Sequence, residues 1–122
     1  MLTKKDYCDC DTRVALEELG FPIRNIIVKG EEKNVPILLY EAQKWLREDK
    51  GIGITIFHNY YHDTHEIFYT IEMYNVKHWL TTFGEFEDWN IALLEGIKEA
   101  IKLLNEEKQY EICQNQKEKQ EV

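Results

Sequence analysis

Two runs of alternating residues on either side of a polar tip constrain this chain more than anything else in it. Ile52, Ile54 and Ile56 alternate with Gly53, Thr55 and Phe57, and Ile67, Tyr69, Ile71 and Met73 alternate again further on. A repeat of two places every second side chain on one face of a strand. The intervening His62-Asp63-Thr64-His65 reads as a turn, so the pair predicts an antiparallel hairpin. Val76 to Thr82 alternates as well and is expected as a third antiparallel strand after a tight turn at Asn75. A sheet with an apolar face needs helices to cover it.

The helices are legible from a different period. Trp89, Ala92, Leu93, Gly96, Ile97, Ala100, Ile101 and Leu104 fall on one face at 3.6-residue spacing, with Asp88 as N-cap. Gly96 inside that helix costs about 1 kcal/mol relative to Ala, which close packing against the sheet would offset. A middle helix over about 39–49 carries Leu38, Ala42, Trp45 and Leu46 on one side and ends at Lys50-Gly51. A short first helix over about 11–19 stops at Gly20, with Phe21 packing back on Leu16 and Pro22 preventing continuation. Between these two, Asn25–Lys29 reads as a strand, 30–34 as a polar turn and 35–38 as a possible returning strand. Trp45 and Trp89 are expected as core anchors.

The order α-β(β)-α-β-β-β-α gives fold class α+β, an antiparallel sheet with helices on one face. At 122 residues the chain makes one domain, expected over 1–107, with 108–122 as a polar tail that is frayed or disordered.

Charge narrows the partners. There are 23 Asp and Glu against 15 Lys and Arg, a net −8 that repels phosphate. The α-β-β-β-α order also describes double-stranded-RNA-binding domains, but the start of the last helix, Gly84-Glu85-Phe86-Glu87-Asp88, is acidic where such a domain needs lysines. No nucleic-acid partner is expected. The longest apolar run, Pro36 to Tyr40, is far below the roughly 20 residues of a membrane span, so no membrane is expected either. The start has two lysines without the apolar stretch of a signal peptide, and three cysteines make no disulfide framework; a cytoplasmic location is expected.

Few residues point to chemistry. His58, His62 and His65, with Asp63, are metal-ligand types gathered in one hairpin, and zinc needs three or four such groups converging at about 2.0–2.2 Å. The same residues also suit the plain decoration of a hairpin end. Cys8-X-Cys10 is a single pair with Cys113 far away, and acidic neighbours disfavour a reactive thiolate. No GxSxG, HExxH, P-loop or GxGxxG pattern occurs, and there is no serine. The adjacent acids Glu17-Glu18, Glu31-Glu32 and Glu106-Glu107 read as solvated surface. Phe57, Tyr61, Phe68 and Trp79 are candidates for an interface on the sheet face that the helices leave bare.

The segments YEAQKWLRE, ITIF, IFYTI and WNIALLEGIKEAIKLL, with the opening TRVALEELGFP, resemble an uncharacterised small-protein family of gut Bacteroides-type bacteria and their phages or mobile elements. The resemblance runs from about Asp6 to Leu104. It rests on packing residues, so it implies a fold and no catalytic residue, and the family has no assigned activity. Ile37 and Leu38 depart from it, standing where a Ser or Thr cap is expected.

The expected function is therefore a small acidic binding or accessory protein without catalysis or cofactor, engaging a protein partner or itself as a homodimer. Two alternatives are a metal-dependent enzyme or metal-binding protein using the His58, His62 and His65 cluster, and an acidic inhibitor or antitoxin-like antagonist of a basic partner.

Overall fold

The computed structural model describes residues 2–75 and 79–120, and among these the fold is α+β, with three α-helices and two antiparallel sheets. A 3₁₀ turn (Lys4–Asp6) leads into α1 (Cys10–Glu18). Asp9 caps α1 by accepting from the Thr12 N–H at 2.8 Å. The helix closes as its sequence predicts. Gly20 takes φ 111°, its N–H donates to the Glu17 carbonyl, and the Phe21 N–H donates to the Leu16 carbonyl. Leu16 and Phe21 are both buried.

β1 (Asn25–Val28) and β2 (Glu31–Asn34) form a separate two-stranded ribbon. This corrects the expected turn over 30–34 and strand over 35–38. The chain reverses at Lys29-Gly30, both at positive φ (52° and 80°), a two-residue loop whose twist suits a hairpin. The returning strand is Glu-Glu-Lys-Asn, which has no β-branched residue to betray it.

α2 (Leu39–Lys50) buries Leu39, Ala42 and Leu46 and ends at Gly51, φ 71°. Leu38 at its start has no acceptor, and the Glu41 carboxylate reaches back to the Leu38 N–H at 3.2 Å instead. Trp45 is half-buried at the helix flank, its ring edge-on to Phe21 with centroids 5.4 Å apart.

The main sheet runs β3-β4-β5, comprising β3 (Ile52–Tyr60), β4 (Ile67–Asn75) and β5 (Trp79–Phe86). The third strand thus runs later than the expected 76–82; residues 76–78 lie outside the described residues. β5 passes Thr82 through a bulge, where Gly84 at φ 85° and Glu85 together oppose Thr70. The bulge turns both Phe83 and Phe86 towards the core, although an unbroken alternation would part them.

α3 (Trp89–Gln120) starts on Asp88, whose Oδ1 accepts from the Asn90 and Ile91 N–H groups at 2.8 and 3.1 Å. Its Ala92, Leu93, Ile97 and Ala100 cover Ile52, Ile54, Ile71 and Met73. Gly96 allows the close approach predicted for it, since a Cβ there would stand 2.8 Å from Ile54 Cγ2. Trp89 is not a core anchor. It is 41% exposed, because it occupies the first helical position, before the buried stripe begins at Ala92. Nor does the chain lose its helix after Asn105. It continues to Gln120 through residues without Gly or Pro, rich in the helix formers Glu, Lys and Gln. Residues 105–110 are nonetheless exposed. Among the described residues, no helix is long and apolar enough to cross a membrane.

Candidate protein-binding surface

Because α3 packs on Ile54 and Ile71, the residues between them on each strand face the other way. Phe57 pairs with Thr70 and Asn59 with Phe68, so the two phenylalanines lie on that open face one step apart. Tyr61, just past β3, brings its ring to 4.6 Å from Phe68. Its hydroxyl donates to Glu85 Oε2 at 2.5 Å, which ties the hairpin end to β5. That bond holds the tyrosine proton, raising its pKa above the ordinary value. Tyr74 is opposite Gly53 and its ring lies across the glycine; a Cβ at Gly53 would run into it. Thr55, Glu72 and Thr82 are in register across the three strands.

The face is therefore a strip of aromatic rings set among threonines and carrying two carboxylates, Glu72 and Glu85. No Lys or Arg among the described residues shares it. Of the residues proposed for an interface, Phe57 and Phe68 share this face by register and Tyr61 packs beside Phe68. Trp79 begins β5 opposite Asn75, and its side chain lies outside the described residues. Glu72 could have been found from the alternation of β4. Glu85 could not, since only the Gly84 bulge brings it to this face.

The histidines take a different arrangement. His58, His62, Asp63 and His65 are all exposed. His62 and His65 pack on the Tyr60 ring, edge-on at 5.2 Å and stacked at 6.3 Å, and His65 adopts φ 59° as its N–H closes the loop on the Tyr61 carbonyl. Among the described residues no three His, Cys, Asp or Glu groups are placed to share a metal ion. Cys10 is exposed, while burial, then the Asp9 and Glu41 charges, push the Cys8 thiol up to about 12. At neutral pH Cys8 is a protonated thiol, a poor nucleophile.

Compared with models of protein families, with curated proteins and with solved structures, the chain matches none.

Proposed function

We propose that this chain is a non-catalytic binding module that takes a basic protein segment on the open face of its three-stranded sheet. The observation that carries the reading is the joint placement of Phe57, Tyr61 and Phe68 with Glu72 and Glu85. Aromatic rings supply apolar area and attract cations to their faces, and the carboxylates add charge-assisted hydrogen bonds. An arginine-bearing segment meets both demands. A second copy of the chain meets the first and fails the second, because a two-fold contact through this face would press acidic residues together. Nucleic acid fails for the same reason.

Selection from a displayed library of random peptides tests this. Enriched peptides should carry Arg or Lys beside aliphatic residues, bind more weakly as salt rises, and lose binding to Phe68→Glu. Enrichment without basic residues, or undiminished binding to Phe68→Glu, would contradict the proposal.

A further inference from the structure

The β1–β2 ribbon stands apart from the sheet face. All eight of its strand residues are exposed, including Ile26 at 51% and Ile27 at 79%, and Ile23 just before it is 62% exposed. A lone two-stranded hairpin is marginal in water, and three or more strands are needed for independent stability. Yet this one is held firmly at its root. Arg24 pairs with Glu41 at 2.8 Å, donates to the Pro36 carbonyl, and accepts at its own carbonyl from the Val35 N–H at 2.7 Å. The ribbon also contains Lys29 at positive φ, which favours glycine, and no burial of its own offsets that.

Its two strands differ in kind. β2 is Glu-Glu-Lys-Asn, the charged composition that guards an open edge. β1 is Asn-Ile-Ile-Val, uncharged and unguarded. The Val35-to-Arg24 bond sets the phase of the ladder: residues 24, 26 and 28 bond inward, which leaves the N–H and C=O of Asn25 and Ile27 along the outer edge.

From this we infer that β1 pairs antiparallel with β1 of a second copy, making a continuous four-stranded sheet about a two-fold axis. The outward groups select one register. Asn25 of each copy faces Ile27 of the other, each pair exchanging both of its hydrogen bonds, and Ile26 meets Ile26 on the axis. That register sets Arg24 against Val28 and Ile23 against Lys29, so no like charges oppose each other, and the glutamates of β2 stay on the outer strands. The contact is small, one strand edge with the exposed Ile23, Ile26, Ile27 and Val28 of each copy, and falls below the roughly 1,200 Å² of a stable interface. The dimer is therefore expected to exchange in the micromolar range rather than to be permanent.

Sedimentation of the full chain across micromolar concentrations tests the inference. The unmodified chain should form a two-copy species. Ile26→Glu and Ile26→Lys should each weaken it by about tenfold or more, and mixing the two variants should restore association. Phe68→Glu, on the separate sheet face, should leave it intact. A unmodified chain that stays monomeric, a single Ile26 variant that dimerises undiminished, or a mixture that fails to recover would each overturn the pairing.

Discussion

Gly96 on α3 sits so close to β3 that a Cβ at its position would stand 2.8 Å from Ile54 Cγ2 and 3.4 Å from Ile71 Cγ2. Two β-branched residues, stiff at χ1, form the wall it meets. Gly96→Ala gains about 1 kcal/mol of helix propensity, but overpacking a filled core costs about 1–3 kcal/mol. The account expects a net loss of about 1 kcal/mol, read as a lower denaturation midpoint in urea. A variant more stable than the parent would mean that α3 does not seat on the sheet at this turn.

The two helix tryptophans should separate. Trp45 is half-buried against Phe21, whereas Trp89 is 41% exposed at the start of α3. Trp45→Ala should cost about 2–3 kcal/mol, less than a fully buried tryptophan, and Trp89→Ala about 1 kcal/mol or less. Equal losses in denaturant unfolding would contradict these positions.

Asp9 links stability to pH. Its carboxylate is held below the usual range first by the hydrogen bond from Thr12, with Lys98 adding to this at 3.3 Å. A lowered folded-state value means the group contributes stability above the unfolded value of about 4, and loses it as pH falls through the lower folded value. Asp9→Ala should cost about 1 kcal/mol at pH 7, and the gap to the parent should narrow as pH falls below the unfolded value of about 4. Thermal melts of both proteins on either side of that value provide the check.

Beyond Leu104, α3 continues helical, and its residues 105–110 are exposed. Residues 105–110 touch water along their length and Tyr110 is 66% exposed. Deleting Gln109–Val122 should move the thermal midpoint by less than about 5 °C while lowering the helical signal in circular dichroism. A larger drop would place this segment in the fold's stabilising contacts.

How much of this was readable beforehand depends on which force sets each element. Burial writes itself into period, so the hairpin of β3 and β4, the α3 stripe and the Gly20 stop were legible. Elements that bury nothing leave no such trace. β2 is exposed throughout, and its place is fixed by the Lys29-Gly30 loop and its ladder with β1. The late end of β5 depends on a bulge at Gly84, and the helix over residues 105–110 on propensity rather than burial. The open sheet face was half legible. Its aromatic residues followed from alternation, but Glu85 joins them only through the bulge and its bond to Tyr61.

The central claim is that the open sheet face recognises basic, partly apolar segments. Its most direct test is a nuclear magnetic resonance titration of the full chain with an extended peptide alternating arginine and leucine. The account predicts saturable shifts at the amides of Phe57, Phe68, Thr70 and Glu72, lost in Phe68→Glu and weakened by added salt. Shifts spread over the acidic helix surfaces instead, with those four amides unmoved, would contradict it.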